Sequence, residues 1–360
     1  MTRALTLRIP FDLHAVSLSR SKGAPARLRR WGATALVALV SGFWTPLQAQ
    51  TTTQTATAQR SVNEWLTRMH EASRQRAYMG TLVVSDGTSM SAARIWHVCD
   101  GVQQMERVDT LTGAPRTTIR RNSDVITFVP DSKTAWVEKR ESLGLFPELL
   151  RTPSNAIPSH YGVRESGVER VAGYLADRVE IVPKDNLRFG YRIWSEKKTG
   201  LVVKLQTVGN EGRVLEQVAF SELDLQSPVR ADQLERLMDT TAGYQVVAST
   251  VVKTTARAEG WVLRQPVAGF MPVSCYRRSV GTANAADGVL QCIYSDGLAT
   301  VSLFIQPFDP RHPAASSEMT GMGATQMLTQ RLAPDVWLTA VGEVPLHTLQ
   351  LFANQLERLR

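Results

Sequence analysis

The sequence predicts an α+β protein with two domains: a larger antiparallel sheet preceded by one helix, and a smaller α+β domain. Short alternating runs of apolar and polar residues recur between turn signals, which is typical of antiparallel strands. Apolar residues at helical spacing precede these runs and also end the chain. The 360 residues suffice for a leader plus two domains of about 100–200 residues each.

Residues 1–49 are predicted to be a secretory signal peptide. Three arginines within residues 27–30 form a positive region, residues 32–44 are apolar, and Leu-Gln-Ala at residues 47–49 suits cleavage. The apolar run is shorter than the ~20 residues that a membrane-spanning helix needs, and an N-terminal anchor helix is the alternative. We therefore expect an exported protein.

The basic composition belongs mostly to this leader. The whole chain has a net charge of +8, but residues 1–49 hold seven basic residues and one acid, so the rest carries only +2. A basic charge that leaves with the leader gives no reason to expect a nucleic-acid partner. The 43% of hydrophobic residues is enough for a folded core.

The first folded element is predicted to be a helix over residues 61–76, after a flexible mature N-terminus at residues 50–60. Ser61 and Glu64 have the spacing of a capping box, in which each side chain binds the other residue's backbone N–H. The apolar face is formed by Val62, Trp65, Leu66 and Met69, and Ala72 extends it.

An antiparallel sheet follows and completes a domain over residues 61–226. Its opening helix and curved sheet predict one concave, apolar face. Residues 143–161 interrupt the strands with three prolines, and we expect a connection packed on the core, with a flap over a cavity as the alternative. The predicted strands are 81–84, 92–98, 104–109, 116–121, 124–129, 134–139, 162–168, 170–183, 188–195, 201–208 and 213–225.

The strand at residues 188–195 divides its side chains between two faces. The basic and aromatic face predicts either a solvated surface or an edge that contacts an anion, such as a lipid phosphate, at the mouth of a cavity. The candidates for a lipid cavity or its mouth are Leu82 and Val84 on the first strand, Phe189, Tyr191 and Ile193 on one face, and Arg188, Arg192 and Trp194 on the other.

Residues 227–259 are predicted to be a linker that few contacts cross, and 260–360 a smaller α+β domain. A short helix at 232–238 is compatible with the linker, and residues 307–320 are expected to be a loop. The second domain's predicted elements are strands 274–279, 289–294 and 299–306, two further elements at 325–331 and 336–341 of unassigned type, and a helix that Pro345 opens.

Export gives the three cysteines a specific meaning, because disulfides persist outside the cytosol. Cys275 and Cys292 flank one predicted hairpin and are predicted to form a disulfide worth about 3 kcal/mol in the chain-entropy model. Cys99 is expected to be a buried, inert thiol.

No arrangement of residues indicates catalysis. The histidines lack metal-ligand spacing, and neither a Gly-x-Ser-x-Gly elbow nor a phosphate-binding Gly-rich loop is present. His97 and Cys99 share a strand face, but without a third group they are a weak dyad signal. We therefore expect a binding protein with no cofactor and no metal; an exported hydrolase with an unrecognised site is the least favoured alternative.

The order of several short segments resembles the MucB/RseB family of periplasmic regulators of the envelope-stress sigma factor. The resemblance covers nearly all of the chain from residue 61 onward and depends on joint order and spacing. The segments are residues 64–69 (EWLTRM), 191–194 (YRIW), 200–204 (GLVVK), 212–220 (GRVLEQVAF), 269–270 (GF) and 294–298 (YSDGL).

The resemblance implies that the first domain is an unclosed half-barrel with a packed helix, similar to lipoprotein carriers. It implies binding to the periplasmic region of a membrane-spanning anti-sigma factor, which is thereby shielded from the site-one protease. Lipid, lipopolysaccharide or lipoprotein acyl chains would enter the half-barrel and release the partner. A lipoprotein or lipid carrier with the same half-barrel is the alternative, and the oligomeric state, including a homo-oligomer, stays open.

Overall fold

The computed structural model describes two lobes joined by one strand. We call Val62 to Met238 the N lobe and Trp261 to Arg358 the C lobe. The leader predicted at 1–49 lies outside the described residues, as does most of the 143–161 connection. The described residues are 60–99, 103–139, 156–226, 229–238, 240–280, 288–308 and 317–359.

Helix α1, Val62–Gln75, opens the N lobe with the predicted capping box. The Ser61 hydroxyl accepts a hydrogen bond from the Glu64 N–H at 3.3 Å, and the Glu64 carboxylate accepts one from the Ser61 N–H at 2.6 Å. The helix buries the face predicted from its spacing, formed by Val62, Trp65, Leu66 and Met69, and also Ala72.

Replacing Ser61 with alanine should lower the free energy of unfolding by about 1 kcal/mol, because the Glu64 N–H loses its acceptor. Urea denaturation followed by circular dichroism would measure the change. Thr67→Ala, in the middle of the same helix, is the control and should not destabilise, since alanine has the higher helix propensity. Equal losses in both variants would contradict a capping role.

The N-lobe sheet consists of two meanders that meet at its centre. Its strands are β1 Tyr78–Ser85, β2 Met90–Cys99, β3 Gln104–Thr110, β4 Thr117–Arg121, β5 Asp124–Val129, β6 Thr134–Lys139, β7 Tyr161–Val171, β8 Tyr174–Pro183, β9 Gly190–Glu196, β10 Val202–Val208 and β11 Val214–Asp224. β1 lies at the centre, because it pairs antiparallel with both β2 and β11. Strands β2 to β6 follow in order on one side of β1, and strands β11, β10, β9, β8 and β7 follow in that order on the other side.

The sheet does not close on itself, because β7 pairs with β8 on one side and with no other described strand. Helix α1 packs against the β8–β10 part of one face, where Trp65, Leu66 and Met69 join a buried cluster with Val179 and Ile193. The predicted unclosed antiparallel half-barrel with a packed helix is therefore confirmed. Two short helical turns, α2 Ile157–His160 and a 3-10 turn at Pro130–Ser132, connect strands.

The β7–β8 hairpin differs from the prediction, which placed its turn near residue 169. The turn lies at Ala172 and Gly173, whose φ angles are 47° and 88°, and a bulge interrupts the pairing between Glu165 and Val168. The bulge interrupts the alternation of apolar and polar side chains within β7, and the sequence pattern therefore predicted a strand end inside this strand.

The segment predicted as a linker, residues 227–259, is not a spacer with few contacts. Helix α3, Ala231–Met238, packs Leu234 against Val98 and Met105 of the N lobe. Strand β12, Gln245–Thr254, pairs parallel with β6 through residues 245–248 and antiparallel with β14, Met271–Val280, through residues 249–254. One strand thus belongs to both sheets.

Among the described residues, the C lobe is an antiparallel sheet of six strands, with β12 beside β14, covered by a helix. The order is β14-β15-β16-β19-β18, with β17 at the edge, and α4 packs Leu349, Phe352 and Ala353 into its core. The predicted loop 307–320 is wrong for its last residues, which start β17. The remaining elements are β13 Trp261–Leu263, β15 Val289–Ser295, β16 Thr300–Pro307, β17 Ser317–Met322, β18 Thr325–Ala333, β19 Val336–Gly342, α4 Leu346–Gln355 and β20 Leu356–Arg358.

Cys275 and Cys292 face each other across β14 and β15 and form a disulfide. Both are buried in the C-lobe core. Cys99, at the end of β2, is a free thiol that is only partly buried, whereas the sequence predicted a buried one. Because Cys99 is the last residue of its strand, its side chain lies at the rim of the sheet, where fewer neighbours cover it.

Candidate functional site: the face of the half-barrel and the junction of the lobes

The apolar candidates belong to two neighbouring buried clusters. Tyr191 and Ile193 lie under α1, 4% and 0% exposed. Leu82 is 1% exposed and packs with Phe220, while Val84, nearer the strand end, is partly buried. Because Leu82 pairs with Phe220 and Val84 with Val218, these side chains share one face of the sheet.

Phe189 is buried just before β9 begins. The described residues also line an open cleft of about 290 Å³ at the C-terminal end of α1. None of the eight candidates lines it. Its lining, which is mostly polar, consists of Gln75, Arg76, Ala77, Thr199, Leu225 and Gln226.

Trp194 and Arg192 project from the face opposite α1. The Trp194 indole N–H donates to Glu169 at 2.8 Å, and the Lys204 ammonium lies 4.2 Å from the ring centroid. Arg192 lies 3.9 Å from Glu180 and is 31% exposed. The indole is 3% exposed and belongs to the same buried cluster as Leu82 and Phe220, while these charged neighbours cover it.

Arg188 corrects the sequence interpretation. It precedes β9, its side chain is fully buried, and its Nε donates to Asp296 Oδ2 of the C lobe at 2.7 Å. It also pairs with Asp185 and donates from Nη2 to the Ala268 carbonyl at 2.9 Å. A guanidinium with these partners is not free to contact a lipid phosphate, because both carboxylates already neutralise it.

We call this group of side chains the charged contact; it joins the two lobes. Tyr161 of the N lobe donates its hydroxyl to Asp296 at 2.9 Å, and burial raises the pKa of that hydroxyl well above its usual value. The second carboxylate oxygen of Asp296 accepts the N–H groups of Leu298 and Ala299. Asp296 is therefore fully satisfied although it is buried.

Gly269 allows the lobes to approach at the charged contact. Its φ is +82°, and a Cβ there would lie 2.6 Å from Arg188 Nη2 and 2.7 Å from His160 Cε1. Nearby, the Thr348 hydroxyl of α4 donates to the Leu187 carbonyl at 2.8 Å. Glycine meets both needs, since it accepts positive φ and has no side chain.

A second group, which we call the acidic contact, consists of Asp86 and Glu216 of the N lobe against the β17–β18 turn of the C lobe. Glu216 of β11 accepts the Ala324 N–H from the β17–β18 turn at 3.4 Å. A Cβ on Gly323 would lie 2.5 Å from Glu216 Oε2 and 3.0 Å from the Asp86 Cβ. Desolvation raises the pKa of Glu216, and the charge of Asp86 adds to the shift.

Local sequence gave no sign of these contacts. Asp296 was part of a predicted turn, which it does form, but its ion pair joins residues 108 positions apart. Glu216 was one polar residue in an alternating strand. A pattern read along the chain cannot show which side chains meet between lobes.

Two families match the chain, one on each lobe: the MucB/RseB N-terminal domain over residues 61–238 and the MucB/RseB C-terminal domain over residues 255–357. The sigma factor AlgU regulatory protein MucB of Pseudomonas aeruginosa is 32% identical over 312 residues, which are 83% of this chain and 91% of that protein. The chain belongs to the MucB/RseB family.

Solved structures of this family agree with the two-lobed fold. The P. aeruginosa MucA/MucB complex contains a chain that matches with a TM-score of 0.63 and 27% identity, over 83% of this chain and 99% of that one. MucB in complex with MucA(peri) matches with a TM-score of 0.61 and 27% identity, over 82% and 98%. The family resemblance deduced from the short segments is confirmed.

Within the described part of this MucB/RseB chain, no group of three or more His, Cys, Asp or Glu side chains is placed to hold a metal ion. No helix among the same residues is long and apolar enough to cross a membrane. The features that the structure describes at the candidate site are the apolar face of the half-barrel and the two contacts between the lobes.

Proposed function

We propose that this protein is a periplasmic, non-enzymatic regulator that binds the periplasmic region of a membrane-spanning anti-sigma factor. The single observation that carries the proposal is similarity to MucB through both lobes, over 91% of that protein, together with the structure of MucB in complex with MucA(peri). Binding would shield the anti-sigma factor from the site-one protease and so restrain release of the sigma factor.

We further propose that lipid or lipopolysaccharide releases the partner. The apolar face that carries Leu82 and Val84 suits an acyl chain, since each buried CH₂ contributes about 0.8 kcal/mol. Tyr191 and Ile193 are already covered by α1, so an acyl chain would enter from the Val84 side, where burial is incomplete. Lipid can act as a release signal only if it binds the released arrangement more tightly.

The test is a pull-down of residues 50–360 against the periplasmic segment of the anti-sigma factor from the same genome, with and without lipopolysaccharide. We expect capture without lipopolysaccharide and at least tenfold weaker capture with it. Micelles of an uncharged detergent serve as the control for non-specific effects of amphiphiles. Protection of the captured segment from the site-one protease, lost on adding lipopolysaccharide, would support the shielding role.

The possible outcomes test partner binding and the release step separately. Capture that lipopolysaccharide leaves unchanged would overturn the release step and keep partner binding. Absence of capture in both conditions would overturn the regulator and favour the lipid or lipoprotein carrier. A carrier needs only the half-barrel, whereas the relationship to MucB extends through the C lobe.

A further inference from the structure

The cleft at the C-terminal end of α1 is bordered by three segments of the N lobe. These are the end of α1, the turn between β9 and β10, and the chain that leaves β11. Its volume of about 290 Å³ lies at the lower limit of small-molecule sites, which hold ~300–1,000 Å³, so it suits a small ion or a head group. Among the described residues that line it, Arg76 alone is charged.

Four exposed cations surround this cleft. Arg74 lies in the last turn of α1 and Arg76 directly follows the helix. Lys197 and Lys198 belong to the β9–β10 turn, next to the lining residue Thr199. None of the ion pairs between residues that the structure describes includes any of the four. Cations grouped in this way repel one another and attract an anion.

The turn that carries the two lysines is held against α1. Arg68 of the helix donates from Nη2 to the Lys197 carbonyl at 2.7 Å and from Nη1 to the Ser195 hydroxyl at 3.1 Å. Gly200 allows this approach, because its φ is +86° and a Cβ there would lie 3.0 Å from Arg68 Cγ. The backbone of the lysines is therefore fixed beside the end of the helix.

The acids near the cleft do not neutralise these cations. The Glu196 carboxylate accepts two backbone N–H groups of the β9–β10 turn, and the charge of Arg68 offsets its own. Asp224 accepts the Gln226 N–H at 2.8 Å, and Glu71 lies one turn back on α1. Two further acids against four cations leave the cleft with a positive surplus.

The helix dipole opposes an anion at this place, but it is the smaller effect. The C-terminal end of a helix carries about half a negative elementary charge. One of the carbonyl groups there is already engaged, because His97 Nδ1 lies 2.7 Å from the Arg76 oxygen. The surplus on the side chains exceeds this half charge, so attraction of an anion depends on the side chains.

The opposite end of β1 has the opposite charge. The strand runs from Tyr78, just after the cleft, to Ser85, a length of about 25 Å at ~3.3 Å per residue. Asp86 follows directly and belongs, with Glu216, to the acidic contact. An anionic group is therefore repelled at that end of the strand and attracted at the cleft.

We propose that the cleft at the end of α1 binds a phosphate group, either as free phosphate or as the head group of an amphiphile. Arg76 can offer parallel N–H donors to two phosphate oxygens, and Lys198 adds a flexible point charge. Leu225 in the lining packs against the apolar cluster of Leu82, so carbon atoms next to a bound phosphate would meet an apolar surface. This second site is separate from the acyl route at Val84 and does not depend on the anti-sigma partner.

Isothermal titration calorimetry of the mature chain, residues 50–360, tests the site with two probes. Inorganic phosphate tests the free anion, and dihexanoyl phosphatidic acid below its critical micelle concentration tests the head group. We expect binding that weakens at least tenfold from about 50 mM to about 500 mM sodium chloride, because salt screens exposed charges. Binding of phosphatidic acid alone would assign the site to a lipid head group. Octyl glucoside is the amphiphile without phosphate, and equally tight binding of it would overturn phosphate recognition.

Replacing Arg76 and Lys198 together with glutamine should weaken binding of phosphate or phosphatidic acid at least tenfold, since charge-assisted hydrogen bonds are lost. Arg170→Gln combined with Arg213→Gln is the matched control, because it removes two exposed cations from the same lobe. Its affinity should stay within about twofold of the parent, since a distant exposed charge is largely screened. Equal weakening in both double variants would reduce the effect to net charge and overturn the site. Absence of binding by both probes at millimolar concentration would overturn it as well.

Discussion

Replacing Arg188 with methionine is expected to lower the free energy of unfolding by about 3–5 kcal/mol, because Asp296 would remain as a buried charge without its cation. Neither side chain is exposed to solvent. Methionine fills much of the space of the arginine stem, so the loss would report mainly on charge and hydrogen bonding. Guanidinium denaturation of the oxidised protein is the measurement.

Arg192→Met is the matched control for this experiment. Arg192 lies four residues further along, is 31% exposed and approaches Glu180 only to 3.9 Å, so its loss should cost no more than about 1 kcal/mol. Adding Asp296→Asn to Arg188→Met should recover part of the stability, since the remaining group is then neutral. Equal losses for Arg188→Met and Arg192→Met would contradict the buried pair.

The second large effect should come from the disulfide. Reducing Cys275–Cys292, which closes a separation of 17 residues, should destabilise the C lobe by about 3 kcal/mol. Reduction leaves both sulfurs in the core, so it isolates the cross-link from the packing that alanine substitutions would also remove. Hydrogen exchange followed by mass spectrometry, with and without dithiothreitol, would locate the change.

Faster exchange should be confined to β14–β16 and α4, while the N-lobe strands β8–β10 serve as the internal control. Mass spectrometry must first show that the starting protein is oxidised. If its melting temperature and exchange stay the same after complete reduction, the disulfide does not stabilise the lobe. Faster exchange in both lobes alike would instead indicate that the C lobe supports the N lobe.

The sequence predicted most accurately the strands and helices whose ends are marked by neighbouring residues. Strands Asp124–Val129 and Thr134–Lys139 were predicted with the bounds they have, because alternation and turn residues mark both ends. The capping box located the start of α1 for the same reason. Strand β12 was missed because both of its faces are partly exposed, which leaves no apolar alternation to detect.

The candidate site was less predictable. Alternation assigned Arg192 and Trp194 to one face of the strand, but it could not show that Trp194 belongs to the buried cluster of Leu82 or that Arg188 is buried against Asp296 of the C lobe. The partner of Arg188 is Asp296, which lies 108 residues further along the chain. Asp296 also accepts a hydrogen bond from a backbone N–H of its own turn, so turn formation alone accounts for an aspartate at this position. Contacts between lobes depend on tertiary arrangement, which a single sequence does not encode in any short pattern.

The strand shared by both sheets limits how the lobes can move. Residues 245–248 of β12 are fixed to β6 and residues 249–254 to β14, so sliding or separation would break backbone hydrogen bonds on one side. Twisting about the strand, where its pairing changes from one sheet to the other, breaks none of them. The Arg188–Asp296 pair joins the lobes at a second point and resists this twist, so the shared strand and the buried ion pair together fix the position of one lobe relative to the other.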